Sequence, residues 1–209
     1  MKTRSLLAVS ALLLGLLVST ASAASPWSAH LRATYLQTAD KSDAFTALGT
    51  NFAANAVSVS DRLIPEIDVD YAFTNTLAAE LVLTIPQEHS VALAGVGHLG
   101  TFKHLPPTLL FQYRGNPNGA IHPYVGIGIN YTLIWGDRLS VAGVPLSLDS
   151  SSVGLAGQAG VDYRLNDQWS FNIDLKHVAL STGVYAGATK LTTATLDPWL
   201  YSLGLRYEF

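Results

Sequence analysis

Six histidines, at positions 30, 89, 98, 104, 122 and 177, are the residues of this chain best suited to metal or acid–base chemistry. Their spacing does not organise them. No His-Glu-x-x-His pattern is present, so the helix that holds zinc in one class of proteases is excluded. There is no cysteine, which removes thiolate metal sites and disulfide scaffolds. His89 and His98 fall in an expected solvated loop, where they could meet in space. His30 and His122 sit on the polar side of an alternating pattern and are expected to join its charges. No spacing singles out a Ser/His/Asp triad. Gly126-Ile127-Gly128 lacks the third glycine of a phosphate loop and opens no helix. The residues therefore point to no catalytic group, no metal and no cofactor.

A second set of residues is better ordered. Arg32, Glu66, Asp68, Glu80, Arg114, Asp162, Asp174 and Arg206 are charged positions inside strictly alternating segments. Leu31 and Ala33 flank Arg32, Ile67 and Val69 flank Asp68, and Leu205 and Tyr207 flank Arg206. Alternation of period two puts the charges on one face of a strand and the apolar residues on the other. Charges of both signs on one enclosed face must pair, because an ionised group taken out of water is otherwise costly.

The elements that would position these charges are strands. Eight segments alternate in this way: residues 28–35, 66–73, 77–85, 105–114, 121–133, 155–164, 169–176 and 199–209. Each is about ten residues long, the length with which a tilted strand crosses a bilayer. An even number of such strands fits a closed antiparallel barrel, and closure removes the unpaired edges that lipid does not tolerate. The connections alternate as well. Those at 74–76, 115–120 and 165–168 are short, whereas those at 37–62, 86–103, 135–152 and 179–196 are long. Short periplasmic turns and long outer loops are the outer-membrane arrangement. Aromatics such as Tyr71, Tyr113, Tyr131, Trp135, Trp169 and Trp199 fall near strand ends, as interfacial girdles do. A soluble β-sandwich also alternates, but its strands are shorter and its connections lack this rhythm.

Composition agrees. With 49% hydrophobic and 13% charged residues the chain is not disordered, and a net charge of −3 without a basic tract excludes nucleic acid as partner. Residues 1–23 read as a signal peptide, with Lys2 and Arg4 ahead of an apolar run and Ala21-Ser22-Ala23 as the cleavage site. Residues 24–209 are then the barrel, exported to the outer membrane of a Gram-negative cell. The final Tyr207-Glu208-Phe209 resembles the terminal signature that barrel-assembly machinery recognises.

Loop rhythm orients the barrel, and orientation splits the inward residues by height. Near the outer end stand Ile64, Val82, Pro106, Leu110, Ile134, Ala156 and Leu200, an expected apolar ligand pocket. Near the periplasmic end stand the eight charges, an expected plug. Eight strands leave an interior that side chains fill, so a water-filled porin is excluded. An apolar solute entering the upper lumen would then leave sideways. Pro106-Pro107, two consecutive residues without an N–H, is the expected lateral exit, with capping of an edge above the membrane as the alternative.

The residues also carry a resemblance. His104-Leu105-Pro106-Pro107-Thr108-Leu109, Pro123 to Thr132, Gly157 to Tyr163, Asn166 with Trp169, and Leu196-Asp197-Pro198-Trp199 resemble motifs of the OmpW family. The resemblance implies an eight-stranded barrel with a narrow, partly hydrophobic channel. It implies passive passage of small hydrophobic molecules across the outer membrane, a role shared with related AlkL-type proteins. Membrane lipids and small hydrophobic solutes would be the partners. The alternatives are a structural barrel whose loops bind surface factors, phage or host, and a lipid-modifying barrel enzyme. The His-x-Ser motif of barrel lipid A deacylases is absent.

Overall fold

The structure is a computed structural model that describes residues 25–209 apart from Leu48. The expected leader at 1–23 lies outside the described residues. The strands are β1 (Trp27–Gln37), β2 (Lys41–Ser42), β3 (Phe45–Ala47), β4 (Thr50–Phe52), β5 (Val57–Val59), β6 (Arg62–Ala72), β7 (Leu77–Thr84), β8 (Gln87–Leu93) and β9 (Gly97–Leu105). They continue as β10 (Thr108–Arg114), β11 (Ile121–Val141), β12 (Val144–Leu148), β13 (Ser151–Arg164), β14 (Trp169–Val178), β15 (Ser181–Ala186), β16 (Thr189–Thr195) and β17 (Trp199–Glu208).

Alternation decides which way each side chain points. Leu31 is 63% exposed while its neighbour Arg32 is 2% exposed, and the same in–out rhythm runs along β6, β10, β14 and β17. Eight strands pair antiparallel in the order β10-β7-β6-β1-β17-β14-β13-β11, and β10 pairs with β11 to close the ring. The first and last strands of the ring, β1 and β17, are paired from Ser28 opposite Glu208 to Gln37 opposite Trp199. Closure leaves the ring without a free edge, so its paired strands satisfy one another's backbone groups without water, which is what hydrocarbon requires. The outer face is apolar throughout, with Ile127 76% and Leu155 73% exposed. A continuous apolar band of this kind belongs in lipid. Trp27, Tyr71 and Phe73 stack edge-to-face at its lower border, as do Tyr207 and Phe209.

The lower turns are short and locally closed. Thr74 Oγ1 accepts from the Leu77 amide at 3.0 Å, and Asn166 Oδ1 accepts from the Gln168 and Trp169 amides at 3.0 and 2.9 Å. Asn116 adopts φ 50°, a left-handed conformation that a short polar side chain tolerates.

The upper end departs from expectation. The four long connections are themselves mostly sheet. β11 runs for 21 residues and projects far above the lower wall, where it pairs with β9 and β12. β12, β15, β16 and β2 extend this wall on one side, and β9, β8 and β5 extend it on the other. The reason is an apolar interior that short loops could not bury. Val57, Val91, Leu99, Phe102, Leu139, Leu146 and Leu196 pack together inside this extension.

Candidate functional site

The barrel interior is layered. At the bottom lies a network of charges. The Arg32 guanidinium on β1 contacts Glu66 at 3.2 Å, Glu80 at 3.4 Å and Asp68, while its Nε donates to Asn172 at 2.7 Å. Arg114 reaches Asp70 at 3.0 Å. Arg206 reaches Asp162 at 3.4 Å and Glu208 at 2.9 Å. Gln158 donates to Glu80 at 2.9 Å and to Asp174 at 2.8 Å. All eight sequence-derived plug residues, Arg32, Glu66, Asp68, Glu80, Arg114, Asp162, Asp174 and Arg206, are buried. They come from seven different strands, which only barrel closure brings together.

Lys176 belongs to this network although its spacing marks it only as inward-facing. It starts near the outer end of β14 and reaches down to Glu66 and Asp174, both at 2.7 Å. The signal for it was charge balance, because six buried carboxylates (Glu66, Asp68, Asp70, Glu80, Asp162, Asp174) outnumber Arg32, Arg114 and Arg206. Arg164, also on the inward side of the alternation, is exposed at the barrel mouth instead. Tyr124 crosses the lumen, donating to Asp174 at 2.7 Å and accepting from Asn172 at 3.0 Å. Gly160 makes room for it, since a Cβ there would collide with the Tyr124 ring. Gly204 does the same for the stem of Arg32.

Donor atoms of His30, Asp68 and Glu80 lie within 4.8 Å of one another, a spacing that admits a cation. The Arg32 guanidinium already contacts both carboxylates, so a positive charge occupies that position.

Above the charged network is an apolar layer. Ile64, Val82, Leu110, Ala156 and Leu200 form one cluster with Leu36 and Val178, and Leu110 is wholly buried. Ile134, grouped with them by sequence, stands one layer higher. Pro106 is half-buried in the wall. In the outer extension there is an almost entirely apolar cavity of about 40 Å³, lined by residues such as Phe45, Val59, Val91, Phe102, Leu139 and Leu196.

Pro106 and Pro107 separate β9 from β10. On one side they are held to β11, where the Tyr131 amide donates to Pro107 O at 3.0 Å and Asn130 Nδ2 donates to Pro106 O at 3.1 Å. On the other side the ladder is interrupted. Pairing ends at Val82 opposite Thr108 and resumes at Gln87 opposite His104. Among the described residues, no ladder pair joins 83–86 to 105–107. Pro86 stands in that gap as a third residue without an N–H.

His89 is not in a solvated loop. It lies on β8, fully buried against His104 on β9, while His98 sits apart and exposed. Cross-strand pairing of 87 with 104 and of 89 with 102 brings these residues together, and sequence spacing did not show it.

The model of the OmpW family matches residues 28–209. The chain belongs to the OmpW family. This family member is 31% identical to outer membrane protein W of Escherichia coli over 169 residues, which cover 77% of this chain and 80% of that protein. It is 27% identical over 192 residues to the dibenzothiophene metabolism operon protein PahQ of Pseudomonas aeruginosa, covering 88% of this chain and 89% of that one. The crystal structure of the outer membrane protein OprG from Pseudomonas aeruginosa superposes with a TM-score of 0.75 at 28% identity, over 89% of this chain and 97% of that one. The OmpW-family barrel described above is thus an eight-stranded antiparallel barrel of the outer membrane.

Proposed function

We propose that this OmpW-family barrel takes up small hydrophobic molecules passively from outside the cell, receives them in the apolar outer extension and releases them sideways into the bilayer near Pro106-Pro107. The layering of the interior carries the reading. An apolar solute gains by leaving water for the outer cavity and the layer of Ile64, Val82, Leu110, Ala156 and Leu200 beneath it. Continuing along the axis would require parting Arg32, Lys176 and their carboxylates, and a broken buried ion pair costs about 3–5 kcal/mol. Moving sideways into hydrocarbon carries no such cost. The interrupted ladder between 83–86 and 105–107 supports an exit at that height, since few backbone bonds would have to part. The name of the relative PahQ, which refers to metabolism of an apolar aromatic compound, agrees with a hydrophobic cargo.

The deciding experiment is uptake of an aromatic hydrocarbon by cells with and without this barrel, with a small polar solute as control. Faster hydrocarbon uptake that falls at least severalfold in Leu110→Asp or Leu200→Asp, with polar uptake unchanged, is the expected result. A surface-interaction barrel is the second reading, and the small volume of the outer cavity, about 40 Å³, favours it. Uptake of each solute that is the same with and without the protein would overturn the first reading and point to the second.

We also assign residues 1–23 to an export signal and Phe209 to recognition by barrel-assembly machinery. Phe209 is exposed, with its amide bonded to Trp27 O and its ring edge-to-face with Tyr207, so the open face of the ring supports this assignment.

A further inference from the structure

We propose that His89, His104 and Gln87 form a binding site for one divalent first-row transition ion, with zinc as its simplest probe. The site stands on the β8–β9 hairpin, immediately above the gap in the ladder. It belongs neither to the ionic plug nor to the apolar cavity, and nothing in the uptake reading requires it.

Hydrogen bonding fixes the orientation of the donors. His89 Nδ1 lies 2.6 Å from Ser60 O. A carbonyl only accepts, so Nδ1 carries the proton and Nε2 presents its lone pair. That is the arrangement in which a backbone carbonyl orients a metal-binding imidazole. Gln87 Nε2 donates to Thr84 Oγ1 at 2.8 Å and to Ile85 O at 3.2 Å, which turns Gln87 Oε1 inward. Both lone pairs converge on His104 Nε2, with His89 Nε2 at 3.1 Å and Gln87 Oε1 at 2.6 Å. As it stands, a single N–H on His104 must serve two acceptors.

The spacing suits an ion. Two imidazole nitrogens 3.1 Å apart, each bound at 2.0–2.1 Å, subtend about 98° at the metal, within the range of a tetrahedral to square geometry. Gln87 Oε1 must draw back by roughly half an ångström to become a third ligand of normal spacing. A nitrogen–nitrogen–oxygen set of this kind suits zinc, copper or nickel better than magnesium or calcium, which take oxygen donors. For His104 to ligate through Nε2 its proton must move to Nδ1, a buried atom without a hydrogen-bond partner, so Nε2 is freed by a change of tautomer. Phe102 packs against both rings, 5.7 Å from His89 and 6.0 Å from His104, and keeps them from rotating apart.

The test is zinc titration of the full refolded barrel in detergent micelles near pH 7.5, read by calorimetry and by competition with a zinc-sensitive dye. The expected result is one zinc per barrel, weakened at least tenfold in His89→Gln and in His104→Gln and unchanged in His98→Ala. X-ray absorption on the zinc form should show two imidazole nitrogens. Hydrogen exchange at the Gln87–Ser90 amides should slow with zinc in the wild type and not in the variants. Heat-modified electrophoretic mobility checks that each variant is folded, and Gln87→Ala is the second variant should a histidine change prevent folding. No zinc binding by the wild-type barrel would overturn the proposal. So would equal binding by the His89→Gln/His104→Gln double variant, which would place zinc on surface groups. Neither result touches hydrocarbon uptake, so the two readings fail separately.

Discussion

At the scale of single residues, glycines and one rim carboxylate carry consequences that their size and charge alone do not announce. Gly160 is small because Tyr124 lies across it, and Tyr124 ties Asp174, Asn172 and Arg32 into one network. A side chain there must displace the ring. Gly160→Val should therefore lower stability by about 1–3 kcal/mol, the usual cost of overpacking, as read from urea unfolding of the barrel in micelles. Gly157, which faces outward into open space, is the matched control and should tolerate valine. Asp61 closes the rim by accepting from the Tyr35 hydroxyl at 2.7 Å and the Thr38 amide at 3.0 Å. Partial burial raises its pKa, but these hydrogen bonds outweigh it and the carboxyl ends below its ordinary value. A depressed carboxylate stabilises the fold above the unfolded pKa of about 3.9 and loses that contribution as pH falls through the lower folded value. The Thr38 amide resonance should thus stay unchanged from pH 7 to pH 5 and move only below about pH 4, and Asp61→Asn should abolish the movement.

At the scale of elements, the proline step is the feature with the clearest test. β9 and β10 would be one strand if residues 106 and 107 could donate to the ladder. Replacing both prolines with threonine and valine supplies the missing N–H groups. The expected outcome is a narrowed gap in the β7/β8–β9/β10 seam, seen as slowed hydrogen exchange at 83–85, together with slower hydrocarbon uptake. Unchanged uptake with a narrowed gap would remove this step as the exit. The outer strands make a related point. They are strands because Val57, Val91, Leu99, Leu139 and Leu146 share an interior, and cross-strand apolar packing is what holds an extended ladder outside the bilayer. Their sequence alternates less strictly than that of the lower wall and carries more glycine and polar residues, so length and composition read as loops.

At the scale of the whole molecule, closure converts dispersed charges into one buried network. Lys176 reaches from β14 across the lumen to Glu66 on β6 and also contacts Asp174 on its own strand. Lys176→Met leaves both carboxylates buried without that partner and should cost about 3–5 kcal/mol, measurable as a lowered urea midpoint. The same network should keep single-channel ion conductance in planar bilayers far below that of a 16-stranded porin, since an eight-stranded interior is narrow enough for its buried side chains to fill.

Much of this architecture follows from local pattern. Period-two alternation at Ala29 to Tyr35, Ile67 to Phe73 and Trp199 to Phe209 dictates strands with one apolar face, and ten-residue length with an even count dictates a closed membrane barrel. The inward burial of Arg32, Glu66, Asp68, Glu80, Asp162, Asp174 and Arg206 follows from the same parity. What parity does not contain is register and height, because a strand can slide by two residues without turning any side chain over. Register places Lys176 over Glu66, seats Tyr124 on Gly160, lifts Ile134 above the layer of Leu110 and Leu200, and sets His89 against His104. Those contacts join residues many positions apart, and only the closed barrel brings them within reach of one another.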